Sequence, residues 1–240
     1  MSDAMQFLDK LIPDDVKDLI RPARQRSPEW YAIRRGRFTG SEIWKLMVEA
    51  RDATAKKLGL PGETAMTYIR ETLAQSITGI TPDIHAPALQ WGLDHEDDGK
   101  KEYMERTGAI LVENDFAPFE DYGGGSVDGL IDRDGILEMK CPYTSEKHLE
   151  NLILAAKKPN EAFMKAERRD LYWQVQNNMM CTGRKWAHFV SYDPRFPKHQ
   201  QIAIIQINGV AKDQGALLAK IVRAKSIMDE MREELNAIAA

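Results

Sequence analysis

The 240-residue sequence predicts one α/β domain, and three observations predict it. Apolar residues recur at helical spacing before residue 108 and again from Gln214 onward. Residues 109–141 instead hold short aliphatic runs, "AILVEN", "GGSVDGLID" and "ILEMKC", separated by turn residues. Two more strand patterns, "WAHFVSYD" and "QIAIIQI", follow a further helical stretch, and no repeat or low-complexity linker breaks the order. A chain of this length can bury one substantial core, so a single unit spanning 1–240 is expected.

Residues 1–20 alternate charged and apolar groups and predict a short helix ending before Pro22. The most basic stretch follows, with Arg21, Arg24, Arg26, Arg34, Arg35 and Arg37 opposed by Glu29 alone. Residues 40–50 predict a helix with Ile43, Leu46 and Met47 on one face. The polar segment 51–63 predicts a mobile loop. A helix over about 64–78 closes at Gly79, and another runs from Pro87 to Thr107, with Gly108 suited to its C-terminal cap. After the strand-like middle, a helix is expected around 161–182. The chain ends in an amphipathic helix over 214–240, with Leu217, Ile221, Ile227, Met231 and Leu235 near one stripe.

Composition narrows the function classes. Charged residues make up 29% and hydrophobic ones 43%, ordinary values for a soluble globular protein. No apolar run reaches the roughly 18 residues needed to span a bilayer, and the N-terminus lacks signal-peptide character. Cys141 and Cys181 make neither a zinc site nor a disulfide framework, and fit a reducing cytoplasm. A net charge of −4 argues against a protein that coats nucleic acid through bulk positive charge. It leaves room for a local basic groove beside an acidic metal site.

The densest chemical signal is Asp128, then Glu138 and Lys140. Arg133-Asp134-Gly135 predicts a three-residue hairpin loop with Gly135 left-handed, which places Asp128 opposite Lys140 and Glu138 diagonal to Asp128 on the same face. Two carboxylates facing one space make a site for a hard divalent cation, which needs only one or two of them with water and phosphate. Lys140 could orient a nucleophile or neutralise charge on phosphate. The alternative is a solvated hairpin with ordinary charges. Glu96, on a stripe with Leu89, Gly92 and Leu93 that reads as buried, is either a third ligand or a partly exposed acid beside Asp94, Asp97 and Asp98. Trp30 reads as a core aromatic.

Six pieces in order resemble the phage lambda exonuclease-like viral recombinase nucleases: "EWYAIRRGRFTGSEI" (29–43), "ALQWGLDHED" (88–97), "GGSVDGL" (124–130), "LEMKCPYTS" (137–145), "QVQ" (174–176) and "YDPR" (192–195). The similarity runs over roughly residues 25–235. It implies a mixed central β-sheet flanked by helices, of the restriction-endonuclease-like class. It implies metal ligation by Asp128, Glu138, Glu96 and the backbone carbonyl of Met139, with Lys140 as the catalytic lysine. Two Mg²⁺ ions are implied, with Mn²⁺ able to substitute. The implied reaction is 5′→3′ degradation of one strand of duplex DNA to 5′-mononucleotides, leaving a 3′ overhang.

By the same resemblance Arg34 grips the 5′-phosphate with Ser41, Ser126 and Gln174, a role that suits the guanidinium fork. Leu89 matches a wedge between bases. Arg35, Arg37 and Arg51 read as backbone-tracking groups. Three departures stand out. Leu171 occupies the position of a family tyrosine, with Tyr172 beside it, and Glu146 occupies that of a groove-inserting arginine, with Lys147 beside it. His95 stands where the family has an aromatic, within reach of the metal but less suited to it than Glu96. The resemblance also implies a ring-shaped homotrimer, a phage-type single-strand annealing partner, and phage or prophage origin. The rivals are a restriction-type endonuclease and a non-catalytic DNA-end-binding module. Iron–sulfur nucleases are disfavoured because four cysteine ligands are lacking.

Overall fold

The computed structural model describes residues 25, 27–81 and 86–238. The expected helix over 1–20, together with Arg21, Arg24 and Arg26, lies outside the described residues. Among the described residues no helix is long and apolar enough to cross a membrane.

Helix α1 (Pro28–Arg34) is capped by Ser27, whose side chain accepts from the Trp30 amide at 3.1 Å. Strand β1 (Phe38–Thr39) leads into a 3-10 helix, Gly40–Met47, where an α-helix over 40–50 was expected. The tighter coil brings the backbone at Gly40 against Asn178; a Cβ there would lie 2.5 Å from the Asn178 amide oxygen. The expected loop 51–63 carries a helix, α2 (Ala53–Lys57), because Asp52 accepts from the Ala55 amide at 2.8 Å. Helices α3 (Glu63–Thr78) and α4 (Pro87–Thr107) fall where the sequence places them, and Gly79 and Gly108 close them in the left-handed region.

The strand-rich middle divides between two sheets. Strands β3 (Ala117–Phe119) and β4 (Gly123–Gly125) join β1 in a three-stranded sheet of order β1-β4-β3. Strands β2 (Leu111–Val112), β5 (Gly129–Ile131) and β6 (Gly135–Lys140) join β7 (Trp186–Tyr192) and β8 (Ile202–Asn208) in a five-stranded sheet of order β2-β5-β6-β7-β8. This sheet is mixed: β6 and β7 run parallel and every other pair is antiparallel. The expected helix 161–182 is preceded by α5 (Ser145–Ala156) and breaks at Arg168 into α6 (Glu161–Glu167) and α7 (Arg169–Thr182). The last helix, α8, spans Ala211–Ile238.

Alternation along the strands builds two cores. Ile136, Ala187, Phe189, Ile205 and Ile207 face the larger one, with α3, α5, α7 and α8. Leu137, Met139, Val190, Tyr192 and Ile202 face a smaller one closed by Tyr103 of α4. Both faces of β6 are therefore covered, and only its last residue, Lys140, is exposed.

The β5–β6 hairpin differs from expectation by one residue in the turn. Its loop is Asp132-Arg133-Asp134, with Ile131 opposite Gly135, and Asp132 takes the positive φ of 47°. Gly135 belongs to the strand because it packs on Trp186, whose ring atoms lie 2.4 Å from where a Cβ would sit. Arg184 fixes the turn by donating to the Asp132 carbonyl at 2.8 Å. One step beyond the last pair, Asp128 stands opposite Glu138 rather than opposite Lys140. The shift preserves parity, so the expected sharing of a face survives it. Gly135→Ala should lower stability by about 1–3 kcal/mol through this overpacking; urea unfolding of the two proteins measures the difference.

Candidate active site

The end of β6 forms the floor of a cleft of about 690 Å³. Glu96, Asp128, Met139, Lys140, Gln174, Leu89 and Lys147 all line it. Glu138 lies just beneath, with 2% of its surface exposed. Its Oε1 accepts from Lys140 Nζ and from Gln174 Nε2, each at 2.6 Å, and its Oε2 accepts from Asn178 Nδ2 at 3.4 Å. Asp128 is pinned by the Met139 amide, which donates to its Oδ2 at 2.7 Å. Met139 thus orients Asp128 with its backbone while its side chain fills the smaller core.

Glu96 reaches this cleft from α4. Gly99 lets that helix lie against Met139 and Tyr192, where a Cβ would stand about 3.0–3.1 Å away. Glu96, one turn earlier, bonds Lys100 at 2.7 Å. The stripe with Leu89, Gly92 and Leu93 is not the core face expected from the sequence: Leu89 is 52% exposed and faces open space. His95 stacks on Trp91 at 3.8 Å and bonds its carbonyl, and is not among the cleft's lining residues.

The electrostatics favour a cation. Burial first, then the nearby Glu138 charge, pushes the Asp128 carboxyl up to about 7. Partial desolvation at the cleft floor works against the charge on the half-exposed Lys140, but the Glu138 and Asp128 carboxylates more than offset it and hold the ammonium above its ordinary range. These neighbours favour the charged form of Lys140. Among the described residues no three His, Cys, Asp or Glu side chains close into a ready metal cage. Asp128 and Glu138 nevertheless face one another, and two carboxylates suffice for a Mg²⁺ that keeps its waters and a phosphate. The donor set, hard oxygens crowded until one resists ionisation, fits a hard divalent ion.

A second recess, of about 1040 Å³, adjoins the first, and Leu89 and Leu93 line both. Arg34 lines it, with Arg37 and Lys45. The Arg34 guanidinium donates to Ser126 Oγ at 3.3 Å and Thr39 Oγ1 at 3.2 Å, and stacks on Trp30 at 4.0 Å. Burial lowers Arg34 to about 10, which leaves it charged at neutral pH. Among the described residues it has no carboxylate partner, so its charge is available to an anion. Ser41 lines the same recess at the start of the 3-10 helix.

The structure thus divides the expected phosphate group. Arg34, Ser41 and Ser126 come together, whereas Gln174 sits on Glu138 in the neighbouring cleft. Trp30, expected in the core, lies in the Arg34 recess and donates to Ser126 at 3.0 Å. Arg51 is exposed and lines neither recess. Arg35 is exposed, and Arg37 donates to the Glu120 and Gly123 carbonyls. Tyr172 does not stand in for a cleft tyrosine: it is 1% exposed and donates to Asp213 at 2.6 Å, while Leu171 lines the cleft. The "YDPR" motif acts as a staple. Asp193 holds Arg195 through two bonds of 2.8 Å, and Arg195 donates to the Pro142 and Tyr143 carbonyls that follow β6.

Sequence reasoning missed Asn177, Asn178, Asn151 and Arg168. The first two donate to Gly124 and Ser126 carbonyls, both at 3.1 Å. Their signal was available: "QVQNN" puts four polar residues on a helix whose flanks are apolar, and all but Gln174 are buried.

Comparison with known proteins accords with this geometry. No curated protein matches the sequence. The crystal structure of the alkaline exonuclease LHK-Exo from Laribacter hongkongensis matches with 29% identity and a TM-score of 0.73, covering 89% of this chain and 98% of that one. LHK-Exo in complex with dAMP matches with 28% identity and a TM-score of 0.74 over the same shares. A phage related exonuclease from Haemophilus somnus 129PT, 16% identical, shares the fold at a TM-score of 0.68, covering 83% of this chain and 96% of that one. The mixed sheets flanked by helices have the expected restriction-endonuclease-like architecture. The YqaJ-like viral recombinase domain matches residues 29–185, a span that holds Arg34, Glu96, Asp128, Glu138, Lys140 and Gln174, and the chain belongs to that family.

Proposed function

We propose that the protein is a Mg²⁺-dependent 5′→3′ exonuclease that degrades one strand of duplex DNA from a 5′-phosphorylated end. The observation that carries this reading is the adjacency of an acidic cleft beside Asp128, Glu138 and Lys140 to a recess lined by Arg34, which has no carboxylate partner among the described residues. Membership of the viral recombinase family and similarity to an alkaline exonuclease over nearly the whole chain support it.

Asp128, Glu138, Glu96 and the Met139 carbonyl would hold two Mg²⁺ ions, or Mn²⁺ in their place. Bound divalent ions supply an acidified water and offset charge on the phosphate. Lys140, held protonated, donates to the phosphate oxygens as charge builds there or orients the attacking water. Gln174 and Asn178 keep the Glu138 carboxylate from rotating. Arg34, with Ser126 and Ser41, seats the terminal phosphate so that the next phosphodiester reaches the cleft. Leu89, exposed on the wall between the recesses, parts the terminal bases, and Lys147 follows the backbone at the cleft rim. Hydrolysis releases 5′-mononucleotides and leaves a 3′ overhang for a phage-type annealing protein. A ring-shaped homotrimer would let an overall acidic chain stay on DNA by enclosure rather than by affinity.

Digestion of linear duplex tests this directly. Mononucleotides should appear from a 5′-phosphorylated strand with Mg²⁺ and vanish with EDTA; cutting of closed circular DNA would establish an endonuclease instead, and no cleavage would leave a binding module. Arg34→Ala should reduce the preference for 5′-phosphate over 5′-hydroxyl ends about tenfold or more, the scale of one charge-assisted contact; an unchanged ratio would remove Arg34 from end recognition. Metal binding should depend on pH. Because Asp128 titrates near 7 and must lose its proton to bind, apparent Mg²⁺ affinity should rise about tenfold from pH 6 to pH 8. Calorimetry in buffers of different ionisation enthalpy reads both the affinity and the proton released.

A further inference from the structure

Arg168 stands at the break between α6 and α7, with φ −131° and ψ 53°, and lines the acidic cleft. Its guanidinium lies over Phe189 at 5.9 Å, and Phe189 is the register partner of Glu138 on the adjacent strand. Glu150 and Asp170 line the same cleft, yet among the described residues no carboxylate is within ion-pair distance of Arg168. What holds it is neutral: Nη1 donates to Asn151 Oδ1 at 2.6 Å.

That contact ends a buried chain whose polarity can be worked out. His148 Nε2 lies 2.9 Å from the Gln200 carbonyl, which can only accept, so Nε2 carries the proton. Burial lowers the His148 pKa, which keeps the ring neutral and leaves Nδ1 an acceptor. Ser191 Oγ, 2.9 Å away, must then donate to Nδ1. Its lone pair accepts from Asn151 Nδ2 at 3.0 Å, which turns the amide oxygen toward Arg168. His148, Asn151 and Ser191 are each at most 2% exposed. The chain therefore aims one oxygen at one guanidinium without adding a charge. A carboxylate in that place would hold the arginine as well and would neutralise it. Lys140, by contrast, is paired with Glu138, and Lys147 is an exposed side chain.

We propose that Arg168 is a further substrate-contact residue that binds a backbone phosphate of the DNA strand in the cleft, and that Asn151, Ser191 and His148 are its positioning residues. This rests on the nuclease reading of the cleft. An amide-held guanidinium keeps its full charge and most of its five donors for an anion, and its fork matches phosphate oxygens.

The test is binding of a 5′-phosphorylated duplex by wild type, Arg168→Gln and Arg168→Lys across a salt series, with Ca²⁺ replacing Mg²⁺ to hold off cleavage. Arg168→Gln should weaken binding about tenfold at low salt and reduce the slope of log K against log salt by about 0.9, the signature of one phosphate contact. Arg168→Lys should restore the slope but only part of the affinity. A slope unchanged in Arg168→Gln, in protein whose thermal melt shows it folded, would overturn the proposal and leave Arg168 a structural residue. Asn151→Ala covers the case in which Arg168→Gln does not fold: it should raise KM for DNA several-fold at unchanged salt slope, and an unaltered KM would equally overturn the positioning role. Wild-type protein that releases no nucleotide from duplex DNA would instead defeat the nuclease reading itself, an outcome independent of Arg168.

Discussion

The Glu138 carboxylate is the constraint from which the rest of the structure follows. A carboxylate this deeply buried is tolerated only when its oxygens are bonded. Gln174 and Asn178 supply two of those bonds from positions four apart on α7, which fixes both the rotation and the height of that helix on the sheet. Asn178 also donates to Ser126, and Asn177 to Gly124, so the same helix locates the three-stranded sheet. Gly40 and Gly125 crowd the Asn178 side chain from two sides and bring the 3-10 helix and β4 into register with it. One buried charge thereby coordinates two sheets, a helix and the segment that leads from Arg34.

The two recesses divide the electrostatic work. Carboxylates crowd the first until one resists ionisation, a donor set suited to a cation. The second holds a desolvated guanidinium against an aromatic ring and hydroxyls, a set suited to an anion. Phosphate with its counter-cation carries both needs. On the proposed function, a chain with a net charge of −4 would address a polyanion in this way: the positive charge is placed, not abundant.

Much of this was legible in the sequence. Long helices with clear ends, such as α3 and α4, were readable because glycine and proline punctuate them. Asp128, Glu138 and Lys140 were readable as neighbours because strand parity survives an error in the turn. The turn itself was not, since the identity of its left-handed residue was decided by Trp186 and Arg184, some fifty residues away. The same limit hid the division of "GGSVDGLID" between two sheets, and the break at Arg168, whose side chain bonds Asn151 in another helix. A motif gives membership and not distance, so it does not show that Gln174 bonds Glu138. Leu89 was read as buried because a helical stripe cannot distinguish a core from a cleft wall.

Leu89 and Leu93 form the partition shared by the two recesses. Neither side chain has a donor or acceptor with which to read a base edge. On the reading in which Arg34 anchors a strand end, the width of this partition sets the stride: each advance delivers one linkage, whatever base it carries. The enzyme would then measure length without spelling, a ruler rather than a reader, with its unit set by two leucines on a single helix.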